Sequence, residues 1–420
     1  MLDIKFIKEN PDLFKEAVKK KHMSFDIDEL LKAEEERLQH LSLVESLRAE
    51  QNIISDKVAK ADKNEREKLI GEMKVFKENL KEKEEALKEV MKRWQALMLQ
   101  VPNIPDMSVP EGADDSANQE IKKWGEAPKF DFKPKDHIEL MERLDLVDFE
   151  RGTKVSGFRG YFLKNEGAQI EMAIWQYAVE FLIARGYKFM IAPSLVRREP
   201  LVGTGMIPQS EEDLYKVGEN EYLAGTAEVP VMGYFMDEIL PKEKLPQKIL
   251  AFSPCFRAEA GKHGKDIKGL IRVHEFFKME QVVLCEASHE ESVKFHEEIL
   301  KNSEEFVQSL GLHYRVVVNC GGDLGLGQVK KYDIEVWMPS QNLYRETHSA
   351  SYFHDFQTRR LNIKYRDVEG KSRYTHSLNN TLVATPRMIA CLIENFQRAD
   401  GSIKIPEVLK KYMGGKDFIK

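Results

Sequence analysis

Two charged side chains two positions apart introduce the chemistry of this 420-residue chain. Arg257 and Glu259 stand in Pro254-Cys-Phe-Arg257-Ala258-Glu259-Ala-Gly261. A Gly/Lys-rich stretch then leads to Gly269-Leu-Ile-Arg272-Val273-His274-Glu275-Phe276-Phe-Lys278-Met-Glu280. The pattern predicts a hairpin. Arg257 and Glu259 would share one face of its first strand because side chains alternate, and Arg272, Phe276, Lys278 and Glu280 would follow on the returning strand. An arginine on a sheet face can fork a phosphate, and an aromatic opposite can stack a base, so a nucleotide suits the pair. An exposed, salt-bridged hairpin suits it as well.

Other candidate motifs are weaker. Gly261-Lys-His-Gly264-Lys265-Asp266 has neither the spacing of a phosphate loop nor a Ser or Thr after the lysine. Gly322-Asp-Leu-Gly325-Leu-Gly327 reverses the dinucleotide fingerprint and reads as a turn, and His274-Glu275 lacks the second histidine of a zinc-protease helix. The four cysteines, at 255, 285, 320 and 391, form no CxxC pair. They argue against a disulfide scaffold and a structural zinc, and they suit a reducing cytoplasm.

The elements that must position these residues divide the chain in two. Residues 1–100 hold one glycine, Gly71, and one proline, Pro11. From about Asp28 to Met98 the sequence predicts two long helices. In the second, Leu69, Met73, Phe76, Leu80, Leu87, Val90, Trp94 and Leu97 repeat in steps of three and four, interrupted by Lys83; this is the seam of an antiparallel coiled coil. Leu31, Leu38, Leu41, Val44, Leu47, Ile54 and Val58 make the facing stripe, and Ala61-Asp62-Lys63-Asn64 is the expected turn. Lys57, Lys60, Lys63, Arg66 and Lys68 cluster at the tip. The arm fits a solvated hairpin for dimer contact or a finger whose basic tip tracks a phosphate backbone.

Val101-Pro-Asn-Ile-Pro-Asp-Met-Ser-Val-Pro-Glu-Gly112 breaks the helical pattern. The expected organisation is an arm at 1–100, a linker at 101–120 and an α+β domain at 121–420 built on a mainly antiparallel sheet with flanking helices. Short β-rich runs fall at 189–191, 248–252, 281–284, 314–318 and 334–337, and helical stretches at about 168–186, 289–310 and 385–397. Net charge is −6, so a nucleic-acid partner must be met by a local patch. No apolar run is long enough to span a bilayer and no signal peptide is visible, which excludes membrane and secreted readings.

The hairpin resembles motif 2 of class II aminoacyl-tRNA synthetases. Thr226-Ala227-Glu228-Val-Pro230, Gly322-Asp-Leu-Gly325, Tyr332-Asp-Ile-Glu-Val-Trp337, Asp355-Phe-Gln-Thr-Arg-Arg360 and Glu394-Asn395 through Gly401 are similar to the bacterial-type seryl-tRNA synthetase family, whose pattern includes the N-terminal arm. The resemblance implies ATP bent over an antiparallel sheet. Arg257 would hold its α-phosphate, Arg272 its γ-phosphate, and Glu259 its adenine amino group. Phe276 would stack the ring, and Arg387 of Ala384-Thr-Pro-Arg387 would sandwich it and meet the γ-phosphate. Ala258, Val273, His274, Glu275, Thr347 and His348 would complete the ATP site, with Glu346 and Ser349 as ligands of Mg²⁺ and no zinc. Thr226, Ala227, Glu228, Glu280 and Thr381 would bind L-serine, the two carboxylates suiting its ammonium and one of them also accepting from its hydroxyl. The arm would bind tRNA(Ser), and by the same likeness tRNA(Sec). A motif 1 segment at about 169–196, a long helix then a strand with Pro193, would build a homodimer.

The sequence departs from the family pattern at Asn380, Thr381, His348 and Ala350, which are expected at the rim of the pocket. Two other readings compete. A ligase charging a carrier protein would lack the arm and carry a metal-binding cysteine in its pocket. A tRNA-binding pseudo-enzyme would be expected to have lost Arg257, Glu259, Arg272, Glu346 or Arg387.

Overall fold

The computed structural model describes residues 1–260, 266 and 268–420. The Gly261-to-Lys265 stretch, read above as a loop, lies outside them. The chain forms two compact units: Met1–Lys19 with Met23–Pro102, and Lys20–His22 with Asn103–Lys420.

The first unit begins with two short helices that the hydrophobic pattern does not announce, α1 (Ile4–Glu9) and α2 (Pro11–Lys20). Helices α3 (Ile27–Lys60) and α4 (Lys63–Gln100) follow, of 34 and 38 residues, or about 50 and 57 Å at 1.5 Å per residue. Ala61 and Asp62 make the turn. The Asp62 carboxylate accepts from the backbone N–H groups of Asn64 (3.0 Å) and Glu65 (3.1 Å) and starts α4. Cross-helix ion pairs Arg48–Glu84 (2.7 Å) and Arg93–Glu36 show that the two helices run antiparallel. The α4 stripe faces inward through Met73 and Leu80. In α3 the expected stripe is off near its start, where Leu38 is 40% exposed and the inward face runs through Leu30, Ala33 and Glu34. The Arg37 guanidinium holds Glu34 with bonds of 2.7 and 2.9 Å, which makes a carboxylate tolerable on that face.

The second unit is organised by one sheet of eight strands: β1 (Gln119–Trp124), β2 (Lys188–Ile191), β3 (Gln247–Phe256), β4 (Glu275–Cys285), β5 (Tyr314–Val318), β6 (Lys330–Met338), β7 (Leu343–Tyr352) and β8 (His376–Ala384). Their order is β1-β5-β6-β7-β8-β4-β3-β2, antiparallel except for the β2–β3 pair. Helices α5 (Asn165–Ile183), α6 (Glu228–Tyr234), α7 (His289–Ser309) and α8 (Thr385–Asn395) flank it. Apolar side chains from β4–β8 pack with α5, α7 and α8 into the main core. On the other face Val282 and Leu284 of β4 join a second apolar cluster, and the stretch beside it carries polar groups.

Two register shifts shape that polar face. Glu335 lies opposite Glu346 and Ile334 opposite His348, which makes Thr347 an extra residue on β7. Met279 lies opposite Val383 and Glu280 opposite Thr381, so Leu382 is the extra residue on β8. Each bulge re-aims the side chains after it, as bulges beside functional sites commonly do.

Candidate active site

The polar face opens into two adjoining cavities. One is lined by Arg257, Glu259, Arg272, Val273, Phe276, Thr347 and Arg387, among others. The second is lined by Thr226, Glu228, Glu280, Ser349, Asn379 and the loop Gly325–Gln328. Arg257, Lys278, Glu346 and Thr381 belong to both walls.

In the first cavity the Arg257 guanidinium lies 5.4 Å from the centre of the Phe276 ring, and its Nε donates to the Gly225 carbonyl (3.2 Å). Arg272 pairs with Glu259 (2.7 Å) and reaches Asp266 (3.5 Å), which Arg345 also grips (2.8 Å). Arg387 donates to the carbonyls of Ile271 (3.3 and 3.2 Å) and Glu346 (2.5 Å). Three guanidinium groups thus converge on a space bounded by an aromatic ring. That arrangement suits a polyphosphate carrying a planar base.

The hairpin differs from its sequence reading. Strand β3 ends at Phe256, and β4 starts only at Glu275, so Arg257, Glu259 and Arg272 lie on the connecting segment. Glu259 has φ +54° and shares no strand face with Arg257. The cause is Asp213, whose carbonyl accepts from Ala258 N–H (2.9 Å) and whose carboxylate accepts from Ala260 N–H (2.8 Å), drawing the chain off the sheet.

In the second cavity Glu228 is buried at the start of α6. Its Oε1 accepts from Gln357 Nε2 at 2.5 Å. Burial pushes its carboxyl up to about 7; the Gln357 bond opposes that shift, and the Glu280 charge adds to it. Glu280 does not stand free beside it: Lys278 Nζ lies 2.6 Å from Glu280 Oε2, which also accepts from the Thr381 hydroxyl at 3.3 Å. Both partners are almost fully buried. The expectation of two carboxylates available to an ammonium therefore narrows to one, Glu228, because Glu280 is ion-paired to Lys278.

Not every expected side chain reaches the cavities. The Thr347 bulge brings Glu346, Thr347 and Ser349 to the cleft and turns His348 and Ala350 behind the sheet. His348 is buried and takes its hydrogen bond from or gives it to the Thr347 hydroxyl (2.7 Å), and burial pushes its imidazole down to about 3. Its side chain, expected at the ATP site, cannot touch a ligand there. Asn380 also faces back, donating to Ile299 O (2.6 Å) and Ser303 Oγ (2.9 Å) on α7. Of the four departures only Thr381 meets the pocket; the rim expected at His348, Ala350 and Asn380 is interior. Ala227 is buried in a separate apolar cluster, and Ala258 offers its N–H to Asp213. His274 and Glu275 line a different cavity with Phe158, Tyr161 and Tyr215.

Lys278, Gln357, Asn379 and the Gly325–Gln328 loop were missed as site residues. A signal was present for Lys278, two positions from Glu280 on one strand face. Gln357 lies inside the quoted Asp355-to-Arg360 run, but its partner Glu228 is more than a hundred residues away.

Glu346 and Ser349 supply two oxygen donors to one cavity, and the Glu346 side chain is 52% exposed. Among the described residues no group of three His, Cys, Asp or Glu side chains is placed to hold a metal. One carboxylate and one hydroxyl fit a hard cation that draws its remaining ligands from phosphates and water.

Sheet, bulges and arginine-lined cleft fall in one class, that of class II synthetase cores. The family model described as the tRNA synthetase class II core domain (G, H, P, S and T) matches residues 213–396, and that of the seryl-tRNA synthetase N-terminal domain matches 1–105. A serine–tRNA ligase of Deinococcus radiodurans is 46% identical over 420 residues, covering 100% of this chain and 99% of that protein. The seryl-tRNA synthetase of Pyrococcus horikoshii, solved with ATP, superposes with a TM-score of 0.89 at 39% identity, over 100% of this chain and 99% of its own. The Naegleria fowleri enzyme, solved with AMP, gives 0.85 at 34%, with the same coverage. This chain belongs to the serine–tRNA ligase family.

Proposed function

We propose that the two cavities activate L-serine with ATP and that the chain then charges tRNA(Ser). The observation that carries this reading is the shared wall. Arg257 and Lys278 stand where the cavities meet, so the carboxylate of an amino acid in one faces the α-phosphate of a nucleotide in the other. The carboxylate oxygen attacks the α-phosphorus in line, the bond to the bridging oxygen breaks, and pyrophosphate leaves. No protein nucleophile is needed. Catalysis rests on positioning and on cationic charge held where negative charge builds.

The Glu259–Arg272 pair gives the order of events a physical form. A phosphate that takes up Arg272 releases Glu259 to accept from the adenine amino group. Phe276 supports the base from one side, and Arg387, tethered to Ile271 and Glu346, meets it from the other. Glu346 and Ser349 would hold Mg²⁺, which would supply charge neutralisation at the phosphates. Glu228 takes the serine ammonium, while Thr381 and Glu280 face its hydroxyl. A ribose 3′-hydroxyl of the tRNA end then receives the seryl group and AMP departs.

The division of labour follows the two units: residues 1–100 bind tRNA, with Lys57, Lys60, Lys63, Arg66 and Lys68 exposed at the tip of the hairpin, and 121–420 carry the chemistry. A homodimer is supported by exposed apolar side chains on α5 and the outer strand β2, including Met172 (51%), Ile183 (52%), Phe189 (39%) and Ile191 (72%). Such a patch calls for a cover. Four buried, free cysteines suit the cytoplasm. The carrier-protein and pseudo-enzyme readings lose ground to a full-length likeness to tRNA ligases.

The test is serine-dependent ATP–pyrophosphate exchange. Arg257→Ala is expected to abolish exchange and leave the melting temperature unchanged; near-normal exchange in that variant would overturn the site.

A further inference from the structure

The Gly325–Gln328 wall of the amino-acid cavity is a turn tied within itself by Gln328 N–H to Gly325 O (3.2 Å) and Gly325 N–H to Gln328 Oε1 (2.6 Å). These bonds leave the carbonyl oxygens of Leu326, Gly327 and Gln328 in need of partners if they are to stay out of water. Two side chains remote in sequence provide them. Lys21 Nζ donates to the carbonyls of Gly325 (2.9 Å), Leu326 (2.9 Å) and Gln328 (2.7 Å). Asn103 Nδ2 donates to those of Gly327 (3.0 Å) and Phe353 (2.8 Å), and Asn103 N–H to Leu326 O (2.9 Å). Each of the four carbonyls is therefore gripped by one or both residues.

Both grips are built. Lys21 is 2% exposed and Asn103 7%. An ammonium has three N–H donors, and here all three are used. Burying such a charge is costly unless it is fully bonded, so the bonds to the loop are what keeps Lys21 there. Burial pushes its ammonium well below the usual range, in line with a site closed to water. The loop's own N–H groups are tied in turn: Gly325 N to Gln328 Oε1 (2.6 Å) and Leu326 N to Gln209 Oε1 (2.7 Å). None of the four loop residues borders the nucleotide cavity.

We propose that Lys21 and Asn103 are positioning residues for amino-acid binding: they hold the Gly325–Gln328 wall against the space that Glu228, Thr381 and Glu280 bound, and they set the affinity for serine without touching ATP. This rests on the reading of that cavity as the serine pocket. The two residues flank the helical arm in sequence but belong, by their contacts, to the catalytic unit.

The experiment uses the full chain and compares wild type, Lys21→Met and Asn103→Ala in exchange assays, with serine and ATP varied separately. Lys21→Met keeps the length of the side chain and removes its donors. Each variant is expected to raise the serine KM about tenfold or more, the size of one or two lost charge-assisted or buried hydrogen bonds, while the ATP KM stays within about twofold. A folded Lys21→Met enzyme with wild-type serine KM overturns the inference, as does a parallel rise of both KM values, which marks a general structural role. Should Lys21→Met fail to fold, Asn103→Ala decides by the same criteria. Wild-type exchange that does not depend on serine would instead sink the reading of the pocket itself.

Discussion

At the scale of single residues, Glu228 concentrates the conflict between stability and function. Its carboxyl is pushed up to about 7 from 4.5, so the folded state holds a proton more tightly than the unfolded chain. Its contribution to stability therefore falls as pH rises from about 4.5 to 7 and is constant above that. The cost at higher pH is on the order of 3 kcal/mol, at 1.36 kcal/mol per pKa unit. Serine binding needs the opposite, a charged carboxylate for its ammonium. Glu228→Gln is expected to raise the melting temperature at pH 8 and to weaken serine binding by two orders of magnitude or more. In the wild type the serine KM should rise below pH 7 with the slope of one proton. A flat serine KM from pH 6 to 8 would show that Glu228 is not the group that meets the ammonium.

Arg257 and Arg272 were legible because a phosphate beside an aromatic ring asks for arginine, whereas Arg387, Glu228 and Glu346 were marked by the resemblance to class II synthetases. Arg257, Arg272, Arg387, Glu228 and Glu346 all border the cavities as read. The pairings among them were not legible. That Glu259 ties to Arg272, and Glu280 to Lys278, depends on where two backbone segments bring atoms within 3 Å, and nothing in residue type encodes that.

At the scale of elements, periodicity carried far. All five β-rich runs lie within strands, the three helical stretches correspond to α5, α7 and α8, and the hairpin turn came out at Ala61–Asp62. It missed helices α1, α2 and α6 and strands β1, β7 and β8. It also missed the bulges at Thr347 and Leu382, since a single extra residue leaves composition and period almost unchanged while it flips every side chain beyond it. Hence His348, Ala350 and Asn380, placed at the rim by sequence, are interior. A close approach makes one element-level prediction. A Cβ on Gly321 would sit 2.0 Å from the Lys20 carbonyl oxygen, which is backbone and cannot rotate away. Gly321→Ala should therefore displace residues 20–22, cost roughly 1–3 kcal/mol in a thermal or denaturant melt, and raise the serine KM in the same direction as Lys21→Met. Unchanged stability in this variant would mean that the segment moves aside without cost.

At the scale of the whole molecule, the boundary of the catalytic unit differs from the composition break near residue 100. Lys20–His22 belong with Asn103–Lys420, and Lys21 Nζ and Asn103 N–H meet on one oxygen, Leu326 O. Replacing residues 24–101 with a short glycine linker should therefore keep serine-dependent exchange near wild type and abolish charging of tRNA(Ser). Removing residues 1–102 outright should also raise the serine KM, because it takes away Lys21 and the three bonds it gives the loop, leaving Asn103 alone of the pair to hold it. Equal exchange kinetics in the two deletions would contradict that boundary.

By itself the sequence determined the division into a helical arm and a mixed sheet domain, five of the eight strands of the main sheet with helices α5, α7 and α8, and a hairpin whose arginines suit a nucleotide. These follow from local rules: side-chain period, turn chemistry, and the match of charge to ligand. The amino-acid pocket was marked by resemblance. Only the tertiary structure decided which acid stands free, which histidine turns inward, and that a lysine at position 21 braces a loop at 325–328. Each of those depends on the register of long-range backbone pairing, where a shift of one residue moves a side chain from the cleft to the core.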